Sequence, residues 1–162
     1  SRRGCLVLDI RMPKMTGLDL QKILNERHIT MPIIFITGHG DIPMAVQAMR
    51  LGALDFIRKP FREQDLLDRI NDALSADSSQ YQNMLSQQAS KGKIASLSAR
   101  EHEVFECVAS GDMNKRIAGD LGISERTVEV HRAQVMKKLE VRTLAQLVRI
   151  KIESEKFGSD TR

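Results

Sequence analysis

Between residues 5 and 74, short apolar runs alternate with stretches whose apolar positions recur at three- and four-residue spacing. Cys5 to Asp9 is an apolar run closed by a carboxylate, Pro32 to Thr37 one closed by a hydroxyl, and Leu54 to Lys59 one closed by an ammonium. Each precedes a helical pattern, over about 16–27, 43–51 and 62–74. Runs this short and this continuously apolar predict buried strands, and three βα units in succession predict a parallel sheet. In such a sheet the carboxyl ends of the strands share one edge, where ligands bind. Asp9, Thr37 and Lys59 are therefore expected to meet, although 28 and 22 residues separate them along the chain. A carboxylate, a hydroxyl and an ammonium suit a phosphoryl group, as acceptor, hydrogen-bond donor and fixed positive charge.

The pattern fades over residues 75–95, which are rich in Ser, Gln and Ala and read as a linker, with Tyr81, Met84 and Leu85 as a small packing patch. It returns at Ser98-Ala-Arg-Glu101, a capping box before Val104, Phe105 and Val108. Asn114 is placed to cap the next helix, in which Ile117, Ala118 and Leu121 recur at helical spacing. Gly122 then supplies a tight turn, and Ser124 restarts the chain as an N-cap. In the helix that follows, Val128, Val135 and Leu139 form one stripe, leaving Arg126, Thr127, Glu129, Val130, Arg132 and Ala133 facing largely away from it. Two short helices joined at a glycine turn predict a helix-turn-helix whose second helix reaches a DNA major groove. A last helix from about Thr143 carries Leu144, Leu147, Val148 and Ile152, and residues 153–162 read as a tail.

Composition narrows these readings without overturning them. A chain of 162 residues with 41% apolar side chains can bury two small cores. The net charge of +4 is compatible with a nucleic-acid partner but does not locate one, because residues 96–152 hold 10 Lys/Arg against 8 Asp/Glu and residues 1–75 hold 11 against 9. Cys5 and Cys107 lie in apolar runs and read as buried small hydrophobes. His28, His39, His102 and His131 show no metal-ligand spacing. No apolar run approaches membrane-spanning length and no signal peptide is evident, so the expectation is a cytoplasmic protein without a membrane partner.

The stretches Leu6-Val-Leu-Asp-Ile-Arg-Met-Pro-Lys-Met-Thr-Gly17, Phe35-Ile-Thr-Gly-His-Gly-Asp41 and Asp55-Phe-Ile-Arg-Lys-Pro-Phe61 resemble the receiver domain of bacterial two-component response regulators. Leu97-Ser-Ala-Arg-Glu-His-Glu-Val104 with the helix-turn-helix resembles a LuxR-type DNA-binding domain, and Thr127-Val-Glu-Val-His-Arg132 places the pair nearest the FixJ-like branch of the NarL/FixJ group. The resemblance implies a flavodoxin-like partial receiver over 1–74, a linker over 75–95 and an all-α, four-helix LuxR-type domain over 96–152. It implies that Asp9 accepts phosphate from a sensor histidine kinase. Thr37 and Lys59 would hold the phosphoryl oxygens, and Phe56 would be the aromatic that turns inward in the switch. Mg²⁺ would be held by Asp9 and the Arg11 backbone carbonyl, and the Lys59-Pro60 peptide would be cis. Gly38 would leave the phosphate reachable, and His39 would sit where the family varies its dephosphorylation rate. Promoter DNA would be contacted by Lys115, Arg126, Thr127, Val130, Arg132, Lys137 and Lys138, by a homodimer formed through the last helix, with RNA polymerase as a further partner.

In one respect the chain departs from the family pattern. The family's receiver begins with a strand ending in an acidic pair that supplies most protein ligands to Mg²⁺, and this chain opens after it, so weak Mg²⁺ binding and slow phosphotransfer are expected. The expectation is a fragment of a longer regulator, in which the strand containing Asp9 lies as a long apolar edge and the helix over 62–74 is thinly packed. Two other readings compete. A haloacid-dehalogenase-type phosphatase also places an aspartate nucleophile after an apolar strand, but it needs a second carboxylate where Arg11 stands, so an enzyme is not expected. A phosphorylation-independent DNA-binding regulator with a decayed receiver half is the alternative. Glu129 stands where much of the group carries lysine; it would accept from a cytosine amino group or orient a neighbouring arginine.

Overall fold

The computed structural model describes residues 4–38, 40–75 and 91–158, and the chain divides into two compact units at residues 79 and 80. His39, Tyr81, Met84 and Leu85 lie outside the described residues, as does most of the expected linker.

The first unit is three βα repeats: β1 (Leu6–Asp9), α1 (Gly17–Glu26), β2 (Ile33–Thr37), α2 (Ile42–Arg50), β3 (Asp55–Arg58) and α3 (Glu63–Ser75). The strands pair in parallel in the order β1-β2-β3, with Leu8 opposite Phe35 and Phe35 opposite Phe56. Ile34 and Phe35 of the central strand are fully buried. Burying a side chain of that size contributes about 1.5–3 kcal/mol each. The β-branched run Ile33-Ile-Phe-Ile-Thr37 suits a strand covered on both faces. Helix α1 starts on a reciprocal cap, Thr16 accepting from the Asp19 amide while Asp19 accepts from the Thr16 amide. Its buried Gln21 donates to the Ala48 carbonyl at 2.8 Å and so joins α1 to α2.

Two expectations need adjustment. The edge strand β1 is short, with Val7 exposed and its neighbours half-buried, so it is not a long apolar edge. Among the described residues α3 buries only Ala73, while Leu67 and Leu74 are 45% and 53% exposed, which agrees with thin packing of that helix. Both cysteines are free and half-buried rather than enclosed.

The second unit holds α4 (Ala99–Ala109), α5 (Asn114–Leu121), α6 (Glu125–Lys138) and α7 (Leu144–Gly158). Its core gathers Val104, Phe105, Val108, Ile117, Val128, Val135, Leu139 and Leu147 from all four helices. The Ser98–Glu101 capping box forms as the spacing predicts. Gly122 closes α5 in the left-handed conformation at φ 66°, where a side chain would be strained, and Ser124 caps α6 by accepting from the Thr127 amide at 3.0 Å. Asn114 does not cap α5. It is the first helical residue after Met113, and its Oδ1 accepts from Arg132 Nη1 at 3.1 Å, a bond between helices that competes with any capping role. The last helix also runs past residue 152: Ile150 packs on the core and Lys151 pairs with Glu155 one turn on, so the first six residues assigned to a tail are helical.

Gly17 marks the tightest approach in the first unit. A Cβ there would stand 2.6 Å from the Asp9 carbonyl oxygen and 2.7 Å from Phe35 Cε1. Neither can retreat, one being strand backbone and the other a buried ring. Gly17→Ala should therefore destabilise the first unit by about 1–3 kcal/mol, read as a shift in the urea midpoint at unchanged slope.

Candidate functional site

At the carboxyl edge of the sheet the three chemistry-bearing strand ends come together as parallel pairing requires. Lys59, one residue beyond β3, reaches across to Asp9 at the end of β1, with Nζ donating to Oδ2 at 2.5 Å. The other carboxylate oxygen accepts from the Arg11 amide at 3.0 Å. The Lys59 ammonium, more than any other group, holds the Asp9 carboxyl below its ordinary range, so the side chain is a carboxylate at neutral pH. Thr37 is fully buried at the end of β2, its hydroxyl donating a long 3.4 Å bond to the Gly38 carbonyl. Phe56 is buried in β3, and the Lys59-Pro60 peptide is cis.

Arg11 does more than the resemblance implied. Its Nε donates to both carboxylate oxygens of Asp41 at 2.9 Å, and its Nη2 donates to Oδ1 at 2.7 Å. Asp41 is buried at the start of α2 and makes no side-chain cap, so the guanidinium answers its charge and keeps its carboxyl below the usual range. No spacing in the sequence links these two residues, 30 positions apart; only the juxtaposition of the loops after β1 and β2 does.

These oxygens do not by themselves make a magnesium site. Mg²⁺ asks for a near-octahedral oxygen shell. The Asp9 carboxylate is already engaged by Lys59 and the Arg11 amide, and the Asp41 carboxylate is taken by the Arg11 guanidinium. Among the described residues no group of three or more His, Cys, Asp or Glu could hold a metal ion.

On the second unit, α6 separates its side chains by function. Val128, Val135 and Leu139 are buried, and half a helical turn away Arg126, Val130, Ala133 and Lys137 form an exposed stripe at the spacing 4-3-4. Arg126 and Val130 are 83% and 49% exposed. Arg126 Nη1 donates to Glu129 Oε2 at 3.2 Å, so the carboxylate is placed to orient the arginine. The flank of this stripe also shows Gln134 to solvent, a side chain passed over in the sequence because glutamine breaks no pattern.

Four of the expected DNA contacts are placed differently from one another. Lys115 is exposed at the start of α5, and Thr127 is half-buried beside the Ser124 cap, its hydroxyl 2.8 Å from the Ser124 hydroxyl. Arg132 sits off the stripe and bonds Asn114, tying α6 to α5. Lys138 turns inward, donating to Glu101 Oε1 at 2.5 Å and lying 3.5 Å from the Ser96 carbonyl. Glu101 is buried, and this ammonium is the main reason its carboxyl lies below the ordinary range.

Comparison with known proteins matches both units. Residues 1–71 match the response regulator receiver domain, and residues 95–151 match the bacterial regulatory proteins of the luxR family. The chain is 51% identical over 147 residues to response regulator protein TmoT of Ectopseudomonas mendocina, covering 91% of this chain and 67% of that protein. It is 49% identical to nodulation protein W of Bradyrhizobium diazoefficiens, covering 96% of this chain and 67% of that one. Against the transcriptional regulatory protein FixJ of Azorhizobium caulinodans it is 47% identical, covering 91% and 70%. The chain thus spans about two thirds of the length of these relatives.

The Glu101–Lys138 pair makes a pH prediction. A carboxyl whose pKa is depressed on folding stabilises fully above its unfolded value of about 4 and loses that stability as pH falls through the folded value. The melting temperature of the second unit should therefore fall more steeply on acidification below about pH 5 in the native chain than in Glu101→Gln, and Lys138→Met should narrow the difference, the Ser98 amide still holding the carboxylate.

Proposed function

The chain belongs to the DNA-binding response regulators of the NarL/FixJ group, which join a receiver domain to a LuxR-type helix-turn-helix, and from that membership we propose that Asp9 is its phosphoacceptor and α6 its DNA-reading helix. The observation that carries the first half is the cluster at the sheet edge: an ionised Asp9 held by Lys59 beside buried Thr37.

In the proposed transfer, an Asp9 carboxylate oxygen attacks the phosphorus of a phosphohistidine on a sensor kinase. The new O–P bond forms as the P–N bond breaks, and the released imidazole nitrogen takes up a proton. Ionised Asp9 needs no general base, because its proton is already gone at neutral pH. Lys59 follows the charge from the carboxylate to a phosphoryl oxygen, and the Thr37 hydroxyl, whose bond to the Gly38 carbonyl is long, turns toward another. Magnesium, where bound, would neutralise phosphoryl charge during the transfer.

For DNA, the exposed stripe supports a division of labour. Arg126, oriented by Glu129, is the candidate base reader, Val130 supplies apolar contact to a thymine methyl, and Lys137, Lys115 and Arg132 are phosphate contacts. Lys138 leaves that set because Glu101 and Ser96 already claim it. Leu147 and Val148 are fully buried and close the core, so a dimer contact through α7 would fall to exposed residues such as Gln146 and Glu155. The protein would act in the cytoplasm, on promoter DNA and with a kinase partner; no described helix is long and apolar enough to cross a membrane.

Intact mass after incubation with phosphoramidate and Mg²⁺ tests the receiver half: a hydroxylamine-labile phosphate adduct should form on the native chain and not on Asp9→Ala. No adduct with DNA binding retained would favour the phosphorylation-independent regulator. For the second half, Arg126→Ala should cost about 1–3 kcal/mol of specific binding and relax preference at one base pair, whereas Lys137→Ala should weaken all duplexes alike and reduce the salt slope by about 1.

A further inference from the structure

Arg11 and Asp41 form the most completely bonded ion pair at the sheet edge, yet neither side chain has a part in the transfer described above. The Arg11 amide is fixed on Asp9 Oδ1, so this side chain is rooted beside the phosphoacceptor. The Arg11 side chain is 75% exposed, whereas the Asp41 side chain is 6% exposed and its charge is answered by the guanidinium. We propose that the Arg11 guanidinium is a ligand of the phosphoryl group on Asp9, held in reserve by Asp41 until that group arrives. This rests on Asp9 being the phosphoacceptor.

The exchange follows from charge and burial. An aspartyl phosphate carries more negative charge than one carboxylate and offers three acceptor oxygens, which a planar guanidinium engages through two parallel bonds. A phosphoryl group on Asp9 would therefore compete with Asp41 for the same fork. Asp41 feels this neighbourhood already: the Lys59 ammonium, like Arg11, lowers its pKa, and the Asp41 charge in turn raises that of Asp9. Losing Arg11 would take from a buried carboxylate its guanidinium partner, which is costly unless the segment moves. That segment is the start of α2: the Asp41 amide bonds the Gly38 carbonyl at 3.3 Å, and its carbonyl accepts from Ala45 at 3.0 Å. The pair thus couples the charge on Asp9 to the N-terminal turn of α2, through the loop that begins at Thr37 and Gly38. Unlike the Thr37 and Lys59 contacts, this coupling works by removing a partner.

Nitrogen-15 NMR of the arginine Nε–H group in the full chain, with and without phosphoramidate and Mg²⁺, tests the exchange directly. The Arg11 signal should shift on phosphorylation, and in unphosphorylated Asp41→Asn it should already have left its native position. By intact mass, Asp41→Asn should reach half-maximal phosphorylation at about tenfold lower donor concentration, the worth of one charge-assisted bond freed from competition. Arg11→Gln should raise that concentration, and the double variant should match Arg11→Gln alone. An Arg11 signal unmoved on a phosphorylated native chain overturns the exchange while leaving Asp9 as phosphoacceptor, and needs no variant to fold. Equal donor dependence of a folded Asp41→Asn and the native chain overturns it as well. A native chain that takes no phosphoryl group on Asp9 overturns the phosphoacceptor reading and this inference together.

Discussion

Parallel pairing of the three strands is the constraint from which the first unit's chemistry follows. Because β1, β2 and β3 run the same way, their last residues share one edge, and the loops that leave that edge must all start beside one another. Asp9, Thr37 and Lys59 owe their proximity to this alone, as do Arg11 and Asp41 in the loops. The pairing in turn depends on the buried central strand, where Ile34 and Phe35 exclude water from both faces of the sheet. Gly17 belongs to the same constraint: the chain must turn into α1 within van der Waals reach of the Asp9 carbonyl and the Phe35 ring, and only a missing side chain allows it.

A second regularity is electrostatic. Asp9, Asp41 and Glu101 are each shielded from water more than a solvated surface acid, and each is answered by a more exposed base on another element: Lys59, Arg11 and Lys138. An ion pair of this kind adds little net stability, since desolvation offsets much of the attraction, but removal of one partner strands a charge. The consequence differs between the two units. In the second unit the pair ties α6 to the start of α4. At the sheet edge a phosphoryl group would bring a stronger anion to within reach of both bases, so the same kind of tie becomes exchangeable.

The helix-turn-helix shows how a single helix divides five charged side chains among different tasks. Arg126 and Lys137 lie on the stripe opposite the core, Arg132 faces α5, and Lys138 faces α4. Glu129, an oddity among bases in the sequence, is the residue that sets the orientation of Arg126. An isolated surface pair of that type is weak in water; its importance would lie in presenting a prepared guanidinium fork in a groove, where bidentate geometry discriminates between bases.

Much of this was legible from local pattern. Apolar runs ended by Asp9, Thr37 and Lys59, the Ser98–Glu101 box, Gly122 and the Val128–Val135–Leu139 stripe each follow from periodicity, capping or backbone freedom, which are properties of a few consecutive residues. Strand and helix bounds accordingly fall within a residue or two of those expected, except where α7 continues past residue 152 through side-chain pairs that leave no cap or breaker to read. The pairings between distant residues were not legible. Asn114 looks like a cap until Arg132 is seen to occupy it, Lys138 looks like a phosphate contact until Glu101 is found behind it, and Arg11 offers no sign of Asp41. Sequence determines which side chains carry charge and which face of an element turns inward, because those depend on local spacing. Only the tertiary structure decides which charge meets which, because that depends on how separate loops and helices are brought together by a core that none of them contains alone.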